Sequence, residues 1–186
     1  MPNREKRILV CGGAGFIGSN FIRYILNKIP SVKVLNYDAL TYSGNLDNLR
    51  DIENDSRYRF VRGNIADRKK LERICSGFKP EYIINFAAET HVDRSIHIGA
   101  KEFIDTNITG VFNLLEVVKN SPRIKKFVQV STDEVYGTWS LGSKKKFSEH
   151  TPFAPNVPYS ATKAGGDLLC RSYYYTWKLP VVVTHC

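Results

Sequence analysis

The stretch ILVCGGAGFIGSN, residues 8–20, decides how the rest of the chain is read. A short apolar run, Ile8 to Cys11, ends at a cluster of four glycines, Gly12, Gly13, Gly15 and Gly18. Helical spacing of apolar residues begins inside that cluster. The apolar run is too short for a helix and reads as a buried strand; the periodic stretch reads as a helix over 15–28. The glycines satisfy both GxGxxG and GxxGxxG. A side chain at these positions would keep the backbone from a pyrophosphate and would clash with the next strand, while the helix N-terminus turns free N–H groups toward negative charge. Glycine-rich turns also arise by chance, so the weight lies in the setting, between a strand and a helix.

Outward from this turn the pattern alternates. Short apolar runs predict strands over 7–11, 33–37, 59–62, 82–86, 127–130 and 181–184. Helical periods predict helices over 15–28, 68–76, 100–119 and 159–177. In the third helix Ile104, Ile108, Val111, Leu115 and Val118 make one apolar stripe. Strand followed by helix, repeated, predicts an α/β fold: a doubly wound parallel sheet with helices on both faces. Residues 138–158, rich in Lys, Ser and Pro, form the one long loop, and long loops in compact domains are often functional. No internal repeat or low-complexity tract interrupts this order.

In such sheets ligands bind outside the carboxyl ends of the strands. The unusual residues fall there. Asp38 ends the second strand, 20 residues beyond Gly18. A carboxylate at that point can accept from both adenosine ribose hydroxyls and repel a 2′-phosphate, which favours NAD over NADP; the bland alternative is a turn-forming Asp. Asn64 and Ile65 follow the third strand and are placed to frame the adenine. Tyr159 and Lys163 are four apart at the start of a helix and share a face. A phenol has a pKa near ~10, and a nearby ammonium is expected to lower it, making Tyr159 a base; a surface Tyr near a Lys is the bland alternative. Thr132, Asp133 and Glu134 follow the fifth strand at once. Two adjacent carboxylates there suit acid–base work, unless they only cap the turn.

Bulk properties narrow the class. The 186 residues suit one domain and are 42% hydrophobic and 24% charged. No apolar run approaches the ~20 residues of a membrane helix. The charged MPNREKR start leaves no room for a signal peptide, so the expected compartment is the cytoplasm. Cys11, Cys75, Cys170 and Cys186 form no CxxC, and His91, His97, His150 and His185 form no HExxH, so no metal site is expected and the thiols read as reduced. Cys11, in an apolar strand, reads as a buried inert thiol. The net charge of +9 raises nucleic-acid binding. The basic residues, however, lie in short scattered groups such as Lys144 to Lys146 with no recognition motif beside them, and a diffuse positive field suits a phosphate-bearing substrate equally well. The Asn107-Ile108-Thr109 sequon is set aside in a chain with no export signal.

Taken together, GGAGFIGSN, NYDALTYSGNLDNL, NFAAETHVDRS, VSTDEVYG and PYSATKAGGD resemble the dTDP-glucose 4,6-dehydratases, members of the extended short-chain dehydrogenase/reductase family. The likeness runs in register over nearly the whole chain, and STDEVYG is its discriminating piece, because related epimerases usually lack the Asp-Glu pair. It implies a Rossmann-type fold and tightly held NAD, reduced and reoxidised within one cycle. It also implies roles. Tyr159 would remove the C4 hydroxyl proton, with Lys163 holding the ribose and assisting it, while hydride leaves C4 for NAD. Glu134 would take the C5 proton and Asp133 would protonate the departing C6 hydroxyl, after which the hydride returns to C6. Thr132 and Thr90 would touch the sugar. Gly12, Gly15, Phe16, Ile17, Gly18, Asp38, Ala39, Leu40, Thr41, Asn64, Ile65, Phe86, Ala87, Ala88, Glu89, Thr106, Ser131, Tyr159 and Lys163 would line the cofactor, and Ser131 would also help position the reacting carbonyl.

Several residues depart from the family pattern. Cys11 stands where Thr is usual, and Asn64 replaces a common Asp beside the adenine. Gly165 and Gly166 fall inside the active-site helix, where each costs up to ~1 kcal/mol relative to Ala, and they are expected to loosen the Tyr159–Lys163 geometry. The sequence ends at Cys186, whereas the family continues about as long again. The expectation is therefore an NAD-binding domain over 1–186, in a fragment or truncated product, with the C-terminal nucleotide-sugar domain absent and a homodimer formed through the two long helices. Two rivals stand beside the dehydratase reading: a nucleotide-sugar epimerase or other short-chain reductase, and a catalytically silent NAD-binding module.

Overall fold

The structure is a computed structural model that describes residues 5–186. Six parallel strands form one sheet in the order β3-β2-β1-β4-β5-β6: β1 (Lys6–Cys11), β2 (Val32–Asp38), β3 (Tyr58–Arg62), β4 (Tyr82–Asn85), β5 (Lys126–Ser131) and β6 (Val181–His185). The expected α/β doubly wound sheet is the one observed. Chain order reverses between β1 and β4, where a crevice opens at the strand ends.

The period-2 alternation of β1 feeds two cores. Leu9 and Cys11 point to one face and join Leu71, Val111, Leu114, Leu115 and Cys170. These come from α2 (Arg68–Phe78), α5 (Val111–Lys119) and α6 (Pro158–Trp177). Ile8 and Val10 point to the other face and meet Ile22, Ile25 and Leu26 of α1 (Phe16–Lys28). Burial on both faces explains why the strands read as near-continuous apolar runs. Cys11 is fully buried, and burial pushes its thiol up, which suits a packing role.

Helix boundaries follow local chemistry. Asp67 caps α2 by accepting from the Lys70 N–H, and Lys79 ends it in the left-handed region at φ 55°. Pro158 occupies the first turn of α6, where its missing N–H costs nothing. No helix of the described residues is long and apolar enough to cross a membrane.

Several elements were not legible in the sequence pattern, among them a 3₁₀ helix over Leu46–Ile52 between β2 and β3. A six-residue helix, α3 (Val92–His97), follows β4. The expected helix over 100–119 is instead α4 (Lys101–Phe103), a π-helical stretch Ile104–Gly110 and then α5. A 3₁₀ turn, Asp133–Tyr136, follows β5. The π stretch has a visible cause. Asn107 is 2% exposed, and its amide accepts from the Glu89 N–H (3.0 Å) and donates to the Glu89 carbonyl (2.9 Å) and Thr162 Oγ1 (3.1 Å). That docking fixes the residue inward. The buried side chain also removes Asn107 from consideration as a glycan acceptor.

The glycines of α6 have a packing role beside the cost in helix propensity expected of them. A Cβ on Gly166 would lie 2.6 Å from the Asn107 carbonyl oxygen. Its absence lets α6, which carries Tyr159 and Lys163, press against the π stretch.

Candidate functional site

A cleft of about 400 Å³ lies at the carboxyl ends of β1, β2, β4 and β5. Its floor is the glycine turn. Gly12 takes φ +76°, and a Cβ there would sit 2.5 Å from the Ala87 backbone nitrogen, so only glycine fits. The first turn of α1 contains no acidic residue and receives no side-chain cap at Gly15. Its leading N–H groups are left for a ligand, and the opening favours an anion. Gly15, Phe16, Ile17 and Gly18 all border the cleft.

Asp38 borders it too, but is already engaged: one oxygen accepts from Ala14 N–H and the other from Leu40 N–H, both at 2.8 Å. Each oxygen keeps a lone pair for a ribose hydroxyl. The residue thus serves as a turn former and remains available as an acceptor, joining the two sequence readings. Ala39 and Thr41 line the cleft; Leu40, at φ 54°, does not appear on its wall. After β3 the Asn64 carbonyl accepts from Tyr37 Oη at 3.1 Å, Ile65 is buried, and both residues border the cleft. Phe86, Ala87, Ala88, Glu89, Thr90 and Thr106 form the wall between β4 and the π stretch. Burial raises the Glu89 carboxyl above its ordinary value, Glu102 adds to this and Arg94 opposes it.

At the other end stand Ser131, Thr132, Tyr159 and Lys163. The backbone N–H of Tyr159 donates to Ser95 Oγ at 3.3 Å, so α3 fixes the start of α6. Lys163 is 4% exposed and donates to the Val130 carbonyl at 2.7 Å. The expectation that Tyr159 has a lowered pKa is corrected: the phenol lies above its ordinary value. Burial is the largest cause, the Thr132 hydroxyl opposes it by hydrogen bonding, and Glu134 adds to the rise. In this buried setting desolvation of the phenolate outweighs stabilisation by its neighbours.

The acidic pair is placed differently. Asp133 and Glu134 sit on the 3₁₀ turn, both exposed, and neither borders the cleft. The turn's cap is the Thr132 side chain, which accepts from the Glu134 N–H at 3.3 Å, so the carboxylates are free of that duty. Partial desolvation, then Asp133, raises the Glu134 carboxyl. Reasoning from sequence missed Asn107, Ser95 and Cys186, which helps line the cleft. Ser95 comes from α3, which carried no periodic signal, and Asn107 is a polar residue in a stretch read only for its apolar stripe.

The family described as GDP-mannose 4,6 dehydratase matches residues 9–186. The dTDP-glucose 4,6-dehydratase of Xanthomonas campestris pv. campestris (strain B100) is 47% identical over 186 residues, 96% of this chain and 52% of that protein. A crystal structure of the Bacillus anthracis dTDP-glucose 4,6-dehydratase in complex with NAD superposes with a TM-score of 0.87 at 50% identity, covering 97% of this chain and 54% of that one. The UDP-glucose 4-epimerase of Thermotoga maritima, solved with UDP-glucose, is more distant: 30% identity and a TM-score of 0.82 over 96% of this chain and 54% of its own. The chain spans about half the length of the curated relatives it matches.

Proposed function

Because this chain belongs to the GDP-mannose 4,6 dehydratase family, we propose that residues 1–186 are the NAD-binding domain of a nucleotide-sugar 4,6-dehydratase, with dTDP-glucose as substrate and its 4-keto-6-deoxy derivative as product. One observation carries the reading: a single cleft brings the glycine turn, the carboxylate of Asp38 and the Tyr159–Lys163 face together. The residues fit the cofactor. The glycine turn brings its backbone closer to its neighbours than a Cβ would allow, at Gly12 against Ala87 and at Gly18 against the Gly12 carbonyl, and the uncapped start of α1 offers N–H groups to a diphosphate. When bound, NAD would supply a hydride acceptor that later gives the hydride back.

The chain's own residues then divide the work. Gly12 to Gly18 hold the diphosphate, and Asp38 accepts from the adenosine ribose. Asn64 and Ile65 border the adenine, and Lys163 holds the second ribose. Thr132 and Thr90 orient the sugar, with Ser131 beside the reacting carbon. Tyr159 takes the C4 hydroxyl proton. Glu134, whose raised pKa suits a group that both takes and returns a proton, works at C5. Asp133 protonates the leaving C6 hydroxyl. The substrate must therefore approach over the exposed side of the 3₁₀ turn, and nucleoside recognition is assigned to residues other than these.

The reading also places the protein in the cytoplasm, where the buried thiols of Cys11, Cys75 and Cys170 stay reduced. It includes a homodimer through the long helices, where Ile104, Leu168 and Tyr175 are exposed; light scattering would test that. Incubation with NAD and dTDP-glucose tests the function: formation of a 4-keto-6-deoxy sugar supports it, whereas C4 epimerisation without loss of water, or failure to bind NAD, overturns it.

A further inference from the structure

We propose that Asp167 is a positioning residue that holds the Lys163 ammonium in place and, through His185, ties it to the turn bearing Asp133 and Glu134. The inference rests on the reading above, in which Lys163 serves the cofactor.

Asp167 follows Lys163 by one helical turn on α6, so the two share a face. Neither is surface chemistry: Asp167 is 3% exposed and Lys163 4%. The protein contact of the ammonium is the Val130 carbonyl at 2.7 Å, a neutral group that supplies a dipole but no counter-charge. An ammonium taken out of water without a compensating charge is costly. Burial accordingly drives Lys163 toward its neutral form, and Asp167 is the first influence opposing it. The dependence is mutual: burial raises the Asp167 carboxyl, while Ser131, Lys163 and His185 pull it back down.

Asp167 is itself aimed by its neighbours. Its Oδ2 accepts from Ser131 Oγ at 2.5 Å and lies 3.3 Å from His185 Nε2. A carboxylate can only accept, so Nε2 carries the proton in this contact. His185 Nδ1 is then free to accept from the Tyr136 hydroxyl at 3.0 Å. Asp167 Oδ1 has no hydrogen-bond partner among the described residues. A buried carboxylate oxygen left in that state is tolerable where a nearby cation compensates by its field. Tyr136 belongs to the Asp133–Tyr136 turn, and its ring packs between Phe147 and His185, with centroids 5.4 Å and 5.0 Å away.

Hydrogen bonds thus join Asp167, His185 and Tyr136 across α6, β6 and the acidic turn, with Ser131 of β5 at the junction, and Lys163 lies one helical turn before Asp167, within its field. Lys163 borders the cleft, and Tyr136 belongs to the turn bearing the proposed acid–base pair. Asp167 touches no reacting atom in this arrangement, so its effect must pass through Lys163 and the turn.

The test uses the full chain with lysine side-chain nitrogen labelling, the Lys163 resonance being assigned with Lys163→Arg. Wild type at neutral pH should show an ammonium resonance for Lys163. Asp167→Asn should move it to the neutral-amine position and weaken NAD binding about tenfold, the equivalent of one pKa unit. His185→Phe keeps the aromatic packing but loses the Asp167 contact. It should leave the ammonium resonance and weaken NAD about threefold, a fraction of that shift. An unchanged Lys163 resonance together with unchanged NAD affinity in Asp167→Asn overturns the proposal. If Asp167→Asn does not fold, Asp167→Glu decides with His185→Phe: NAD affinity retained by the first and weakened by the second supports it, and wild-type affinity in both overturns it. Failure of the wild type to bind NAD would overturn the functional reading instead, while the Lys163 resonance would still decide this one.

Discussion

The glycine turn after β1 and the acidic turn after β5 occupy equivalent places at the edge of one sheet, yet they are built in opposite ways. The glycine turn is held from every side. Gly12 N–H donates to the Tyr37 carbonyl at 3.0 Å, Ala14 N–H to Asp38 at 2.8 Å, and the Ala14 carbonyl accepts from Asn45 and Asn48. The acidic turn is held only from beneath. Val135 and Tyr136 are buried, Ala154 N–H donates to the Val135 carbonyl at 2.9 Å, and Asp133 and Glu134 project outward. A diphosphate needs fixed backbone geometry, because donors that must rearrange on binding give back part of what they gain. In the proposed function the acidic pair exchanges protons with a sugar, and carboxylates doing so need access to it, which the exposed side of this turn gives.

Substitutions can break this contrast, and the largest effect is expected at the chemical end. In protein turning over dTDP-glucose, Tyr159→Phe should lower kcat by about 10²–10⁴-fold while NAD affinity holds within about threefold, because it removes an acid–base group without altering the cradle. Kinetics and NAD titration check both halves. Glu134→Gln should cost about 10²-fold or more in dehydration and leave C4 oxidation intact, so that reduced cofactor accumulates on mixing, visible in its near-ultraviolet absorbance.

On the cradle side, Gly12→Ala places a Cβ against Ala87 in a left-handed conformation. It should destabilise the fold by about 1–3 kcal/mol and abolish measurable NAD binding, read by denaturant melts and calorimetry. Thr132→Val sharpens the comparison through pH. Burial holds the Tyr159 phenol up and the Thr132 hydroxyl opposes that. The active phenolate fraction therefore rises with pH, and losing the hydroxyl should carry the rising limb of the pH–rate profile to higher pH.

The smallest effect lies far from both turns. Glu116 accepts from Tyr173 Oη at 2.7 Å, and this contact, ahead of Lys119, holds its carboxyl below the ordinary value. A lowered folded-state pKa adds stability that is complete above the ordinary carboxylate value of about 4.3 and is lost as pH falls through the lower folded value. Tyr173→Phe should therefore cost about 1 kcal/mol at neutral pH, a difference that disappears in acid. Melts at several pH values would show it.

Reading the sequence recovered the elements whose periodicity was long and regular. All six strands and α1, α2 and α6 lie within a few residues of their expected positions, while the helix expected over 100–119 is α-helical throughout only from Val111 onward, after α4 and the π stretch. Most of the residues expected around a cofactor line one cleft, because strand ends and the residues just after them must converge on one edge of a parallel sheet. Leu40, Asp133 and Glu134 lie off its wall, and that was not visible beforehand: the face a turn residue presents depends on dihedral angles that no alternation encodes. The expected low pKa of Tyr159 was lost for a related reason. Spacing puts Lys163 on the same face, but it does not say how much water the phenol gives up.

By itself, then, the order of apolar runs, the glycine spacing and the four-residue step from Tyr159 to Lys163 determined the sheet, the glycine turn and the face of α6 that these two residues share, since each is a local consequence of backbone period. Tertiary structure alone decided that Asn107 turns inward through a π stretch, that Gly166 is a contact surface and that Asp167 meets Ser131 and His185. These depend on how closely separate elements approach, and close approach is settled by packing volume and buried polar partners across the chain.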